Sequence, residues 1–265
     1  MYEMVTAYTP SNLHAWFTGL RNLPDASRFG GHIPSFGGSV LPHVYCYMLA
    51  ALEAFQCSAF VETGTNTGKT VSVIGQFFNG PIYSCELDPH LAEIARANLM
   101  PFGFPATQVR LSLQDSVSFL DMLVREGSLG NRPFFFLDAH SLQGSWPLAA
   151  ELSRIAPLPQ WVAAIHDFPQ PGHQQHPPDA VRFLNAAHVN EGLRGLAPTE
   201  WCYWFPHYPQ MHFMPLDYRV GMVFVARGVN PSVAEELNHR MMPLLDQLSR
   251  LNGVLATGSS QFLEA

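Results

Sequence analysis

Lysine is nearly missing from this sequence: Lys69 is the only one in 265 residues, and all charged residues together make up 13% of the chain. Binding a nucleic-acid backbone takes clustered Lys and Arg. No basic run occurs here and the formal net charge is −7, so no nucleic-acid partner is expected. Cysteine is equally scarce. Cys46, Cys57, Cys85 and Cys202 form no CxxC pair and no metal-type spacing, which points to reduced, buried thiols of a cytoplasmic protein. No apolar run approaches the roughly 18 residues of a membrane span, and the N-terminal stretch has no basic segment ahead of an apolar one. A soluble chain without a membrane partner is the expectation. Internal repeats and low-complexity tracts are also lacking. What remains is 47% hydrophobic, enough for a large core with apolar clefts in one α/β domain with extensions, or at most two small domains.

Against this background the stretch AFVETGTNTGKT, residues 59–70, carries the most information. An apolar strand enters a turn containing Gly64 and Gly68, and a helical pattern follows through Val71, Val73, Ile74 and Phe77. Glycines at a strand-to-helix turn let the backbone bend tightly and let a nucleotide-like ligand approach the helix start. Glu86 ends the next strand, 22 residues after Gly64, where a carboxylate can accept hydrogen bonds from both ribose hydroxyls. The register of GxGxxG fails, which argues against a dinucleotide. Gly64 to Gly68 is one residue too short for a P-loop, although Gly68-Lys69-Thr70 imitates its end.

Further along, strand-like runs at 58–63, 81–86, 107–113, 133–138 and 160–166 alternate with helical patterns near 68–78, 88–100, 115–126 and 146–156. Asp88 can cap the second helix, Asp115 or Ser116 the third, and Ser145 can start the fourth ahead of Pro147. Such alternation predicts a parallel sheet covered on both faces, with all strand C-termini at one edge. Gly64, Glu86, Asp115, Asp138 and His166 should therefore line one cleft. Ahead of this core, 11–20 and 41–56 read as helices around a Gly/Pro/Ser-rich loop at 28–40. Behind it come a loop at 169–179, a helix at 179–190, strands at 199–205 and 219–228, and a C-terminal helix at 232–251 with a tail. The expected division is 1–57 as a helical extension, 58–228 as the cofactor-binding core, and 229–265 as helix and tail.

The order Glu62-Thr63-Gly64 followed by Gly68, with Glu86 beyond it, resembles motif I of class I S-adenosylmethionine-dependent methyltransferases, with Asn66 in place of their central glycine. RPFFFLDAHS (132–141), Trp146-Pro147-Leu148, Glu151-Leu152 and VAAIHDF (162–168) resemble a branch acting on small molecules, the O-methyltransferase-like branch. The resemblance covers about residues 58–168. It implies a doubly wound, mostly parallel seven-stranded Rossmann-like sheet that ends in an antiparallel pair, which 199–205 and 219–228 would supply. It also implies S-adenosylmethionine as cofactor, bound by Glu62, Gly64, Thr65, Asn66, Gly68, Glu86, Asp115, Ser116 and Asp138. Asp115 would contact the adenine amino group and Ser116 a ring nitrogen; an N-cap role for Asp115 is compatible with this.

Related branches hold Mg²⁺ at the ends of strands four and five, where it orients the acceptor hydroxyl and lowers its pKa. Carried over, Asp138, His166 and Asp167 would be the metal ligands, although an imidazole suits Mn²⁺, Fe²⁺ or Zn²⁺ better than Mg²⁺. The alternative is that Asp138 only reaches the cofactor's amino group and His166 caps a helix. His140 is the candidate general base, since a neutral imidazole can take a proton from a hydroxyl near pH 7; a role in orienting Asp138 competes with it. Asp138, His140 and His166 thus form the expected catalytic group. His173, His176, His207 and His212 fall in late loops, where prolines exclude a helical ligand pair. The aromatics Trp201, Tyr203, Trp204, Phe205, Tyr208 and Phe213 could line an acceptor pocket, with about half of them turned into the core.

The function expected is methyl transfer to a small molecule, at a hydroxyl, in secondary metabolism. Competing readings are N- or C-methylation without a metal, and a non-catalytic cofactor-binding protein, against which the retention of both Asp138-His140 and His166-Asp167 argues. Self-association into a homo-oligomer is left open.

Overall fold

The structure, a computed structural model, describes residues 42–140, 146–168, 184–206 and 221–239. Helix α1 (Pro42–Ala54) comes first, followed by β1 (Ala59–Thr63), α2 (Lys69–Phe77), β2 (Ile82–Glu86), α3 (Pro89–Leu99), β3 (Val109–Leu113) and α4 (Ser116–Glu126). The chain continues through β4 (Pro133–Leu137), α5 (Leu148–Ile155), β5 (Trp161–His166), α6 (Ala186–Gly192), β6 (Trp201–Trp204) and β7 (Met222–Arg227). Residues 232–239 are helical.

The seven strands form one sheet in the order β3-β2-β1-β4-β5-β7-β6. β1 to β5 pair in parallel, and β7 runs antiparallel to both β5 and β6. The parallel, two-sided sheet is the one expected from the alternating pattern, and its closing antiparallel pair is the one the resemblance implies. Its strand order reverses between β1 and β4, which opens a crevice at their C-terminal ends, where ligands of such sheets bind.

Strand β4 shows why the sheet is buried on both faces. In PFFFL, Phe134 and Phe136 pack into one core with Phe60, Val162, Phe224 and helices α1 and α2, while Phe135 and Leu137 pack into the other with Phe119, Leu152 and Ala163. Side chains alternate across a strand, so a continuous apolar run supplies both cores. Each of the three phenylalanines is fully buried and contributes roughly 1.5–3 kcal/mol by leaving water. Helix α1 is covered almost all round, with Val44, Tyr47, Met48 and Ala51 without exposed surface. It belongs to the same core as β1 and β4.

Polar caps set the helix starts. The Asp88 carboxylate accepts from the N–H groups of His90 and Leu91 at 2.7 and 3.3 Å, with Pro89 opening α3. Asp115 accepts from Ser118 N–H at 2.9 Å and caps α4. Of the helix expected at 179–190, residues 179–183 lie outside the described residues. Asn185 is extended (φ −157°) and its side chain accepts from Ala187 N–H, capping α6 from Ala186 to Gly192. The expected helix at 11–20, the loops at 28–40 and 169–179, and the helix beyond residue 239 lie outside the described residues, as do Ser145, His173, His176, His207, His212, Tyr208 and Phe213. Among the described residues no helix is long and apolar enough to cross a membrane.

Candidate active site at the sheet's C-terminal edge

The turn after β1 is held at every step. Gly64 lies at φ +88°, Asn66 at φ 49° and Gly68 at φ +81°, a region that favours glycine and tolerates asparagine. The N–H groups of Gly64 and Thr65 both donate to the Cys85 carbonyl, at 3.0 and 2.9 Å, and Gly68 N–H donates to the Thr65 carbonyl at 2.9 Å. From α3, Asn98 Nδ2 donates to the Thr67 carbonyl at 2.9 Å. A Cβ on Gly64 would sit 2.9 Å from the Asp138 carbonyl oxygen, so glycine is required both by the turn and by the closeness of β1 and β4.

Glu86 stands at the mouth of this turn. Its Oε2 accepts from Asn66 N–H at 2.7 Å, and its Oε1 accepts from the N–H groups of Leu87 and Asp88 at 2.9 and 3.0 Å. Three backbone donors thus fix the carboxylate between the glycine turn and the start of α3. Oε1 is filled by its two donors, and Oε2 keeps one acceptor site open for a further donor such as a ribose hydroxyl.

Four titratable side chains meet at the ends of β4 and β5. His166 Nδ1 lies 2.7 Å from Asp138 Oδ1. His140 Nε2 lies 3.3 Å from the same oxygen and 3.2 Å from Asp167 Oδ2. The His140 ring also packs against Trp146, with centroids 4.5 Å apart. Asp167 sits at φ 54°, which turns its carboxylate back toward His140. Burial works against the charged form of Asp138, but the charge of His166 and the bond from His140 outweigh it and hold the carboxyl down at about 2. Burial likewise opposes a charged His166, yet Asp138 prevails and lifts it to about 9. His140 is raised in the same way, burial opposing and Asp138 and Asp167 prevailing. The Asp138 carboxylate is thus paired with a charged His166, and both carboxylates favour the charged form of His140.

Ligand atoms of Asp138, His140 and Asp167 lie within 4.8 Å of one another. His166 Nδ1 lies 2.7 Å from Asp138 Oδ1 and 3.6 Å from Asp167 Oδ1, and its Nε2 is buried without a hydrogen-bond partner.

On the cofactor side, Glu62, Gly64, Thr65, Asn66, Gly68, Glu86 and Asp138 gather around the β1 turn. Asp115 and Ser116 lie at the start of α4, beyond β3. Ser116 is buried, with its side chain beside Glu151.

Several polar residues here were assigned no role from the sequence. Glu151 on α5 is buried beside Ser116 and Thr63, its Oε1 has no hydrogen-bond partner, and burial pushes its carboxyl up to about 7. Tyr45, Thr70 and Ser84 surround Glu62. The one available sign was a carboxylate inside an apolar strand or helix turn of a chain so poor in charge. Of the late aromatics, Trp204 stacks on Phe224 in the core at 5.1 Å, while Tyr203 is exposed.

No family model matches the sequence, and no curated protein matches it in sequence. Solved structures share its architecture. The O-methyltransferase TomG from Streptomyces achromogenes, involved in tomaymycin synthesis and solved with S-adenosylmethionine, is similar at a TM-score of 0.56 and 18% identity, over 82% of this chain and 95% of that one. An O-methyltransferase from Bacillus cereus in complex with S-adenosylhomocysteine is similar at a TM-score of 0.51 and 16% identity, over 83% and 91% of the two chains. The fold is the class I methyltransferase fold. Within it the glycine turn and Glu86 stand beside the β1–β4 crevice, and the Asp138–His140–Asp167 cluster stands on its β4–β5 side.

Proposed function

We propose that this chain transfers a methyl group from S-adenosylmethionine to a hydroxyl of a small molecule. The observation that carries the reading is the juxtaposition, across the β1–β4 crevice, of a cofactor-type turn and a cluster of acid–base groups, with Gly64 directly against the Asp138 backbone. S-adenosylmethionine supplies a methyl group already activated on a sulfonium, so the protein must align the acceptor and remove its proton. Glu86 and the turn at 64–68 hold the adenosine end. His140, half exposed at the rim, is placed to take the proton. Asp138 and Asp167 orient its ring and stabilise the imidazolium formed. His166 stays charged and holds Asp138 in place. The role of TomG in tomaymycin synthesis supports a small, non-polymeric acceptor, as does the absence of basic runs in the sequence.

Asp138, His140 and Asp167 also fit a divalent cation, since two carboxylates and an imidazole are a donor set for Mn²⁺, Fe²⁺ or Zn²⁺ more than for Mg²⁺. A cation bound there would lower the pKa of an acceptor hydroxyl. The charged His166 already offsets Asp138, which favours the metal-free base reading, and one assay separates the two. Transfer to a panel of phenolic and alcoholic acceptors is measured before and after exhaustive chelation, in the wild type and in His140→Ala. For the base reading, chelation changes nothing and His140→Ala lowers kcat by about a hundredfold or more. Because His140 must give up its proton to act, the rate should rise with pH above the ordinary histidine value. Loss on chelation with recovery on Mn²⁺ addition would establish the metal reading instead. No thermal shift with S-adenosylmethionine or S-adenosylhomocysteine, beside one with NAD, would remove the methyltransferase reading altogether.

A further inference from the structure

Glu62 and Ser84 face each other as register partners on β1 and β2, and both are buried, Glu62 at 1% exposure. They lie on the sheet face that Phe60, Phe134 and Phe136 share with α1 and α2. A carboxyl in that position loses its hydration and needs full hydrogen bonding in return. The Ser84 hydroxyl donates to Glu62 Oε2 at 2.6 Å, and Ser84 Oγ lies 2.6 Å from Thr65 Oγ1. Ser84 has one proton and gives it to Glu62, so the Thr65 hydroxyl donates to Ser84. On the other side Thr70 adjoins Glu62, and Tyr45 of α1 adjoins Thr70. Thr65 is the second residue of the glycine turn and Thr70 the second residue of α2. Hydroxyl side chains therefore meet Glu62 from both ends of the turn.

We propose that Tyr45, Thr70 and Ser84 are positioning residues for the cofactor turn, acting through Glu62 to fix Thr65 and the start of α2. The inference rests on the cofactor assignment made above and adds to it residues that touch no ligand themselves. A purely structural role is a poor account of five polar groups on an apolar face, because well-packed apolar replacements of buried polar sets are often neutral or stabilising. Fixing the turn explains them. Thr65 is the pivot of that turn: its N–H shares the Cys85 carbonyl with Gly64, and its own carbonyl receives Gly68.

Tyr45→Phe keeps the buried ring and removes only the hydroxyl; Ser84→Ala removes the other arm. Titration calorimetry of the full chain with S-adenosylhomocysteine should show each variant binding about five- to tenfold more weakly. Amide hydrogen exchange at 64–68 should quicken in both, with exchange in β4 and β5 unchanged. The double variant should lose less than the product of the two single losses, since both break one chain. Unchanged affinity and unchanged turn exchange in folded Tyr45→Phe would overturn the proposal, and this variant decides the matter where Ser84→Ala does not fold. Should the wild type bind neither S-adenosylmethionine nor S-adenosylhomocysteine, the cofactor assignment fails separately. Exchange at 64–68 then decides alone: faster in the variants upholds the positioning role, and unchanged refutes it.

Discussion

Glu62 and Glu86 end adjacent strands, yet their surroundings assign them different work. Glu86 is at the mouth, held by three backbone N–H groups. Glu62 is sealed beneath the turn, where burial first and the charge of Asp138 next push it up to about 8 against the bond from Ser84. Only Glu86 is placed to meet a ribose. Glu86→Ala should weaken S-adenosylmethionine binding by about tenfold or more, because the diol would be desolvated without an acceptor. The same change releases Asn66 at φ 49°, whose N–H is bound by that carboxylate. Calorimetry on a folded Glu86→Ala variant that shows wild-type affinity would remove the ribose assignment. Both acids were legible as candidates from the sequence, Glu62 two residues ahead of Gly64 in the resembled motif and Glu86 at the end of the next strand, 22 residues after Gly64. Their separation was not, since it depends on register with Ser84 and on helix α1 closing over one face.

Element boundaries followed the sequence wherever a local device marked them. Asp88-Pro89 and Asp115-Ser116 start helices within a residue of the expected positions, and β1 to β5 shortened by no more than two residues at their starts. The site was legible less evenly. Asp138, His140, His166 and Asp167 stood out because strand ends in such a sheet converge on one edge. The pairing of His166 with Asp138, leaving His140 beside Asp167, depends on Asp167 turning at φ 54°, and no residue pattern announces that. At this scale the cap of α3 offers a clean measurement. Asp88→Ala should cost about 1 kcal/mol in urea unfolding, since two N–H groups of the first turn lose their acceptor. A loss within experimental error of zero would show that water replaces the cap without penalty. The substitution lies two residues from Glu86, so the cofactor affinity of the variant should be read alongside.

Over the whole molecule, buried ionisable groups make stability depend on pH in a direction that can be derived. Burial lifts Glu62 to about 8 and Glu151 to about 7, from 4.5 in an unfolded chain. Between these values the folded state holds protons that the unfolded chain has released, so stability falls as pH rises from about 4.5 through 8. His166 adds to the same trend: its contribution is complete below 6.5 and is lost as pH rises through about 9. Asp138 acts oppositely, with a contribution present above 3.8 and lost as pH falls through about 2, and so it is intact across this window. Cys57, pushed up to about 12 by burial from 9.0, extends the fall only above pH 9. The expected result is a urea midpoint lower at pH 8.5 than at pH 5.5. In the double variant Glu62→Gln, Glu151→Gln the drop between pH 5.5 and 7.5 should shrink, leaving the later loss that belongs to His166. A midpoint that stays level or rises from pH 5.5 to 8.5 in the wild type would contradict the burial of these acids. A drop untouched by the double variant would assign it to the histidine cluster alone. That second outcome would bear on function, because it would place the pH-sensitive charge of the molecule at the β4–β5 end, beside the base, and not beneath the cofactor turn.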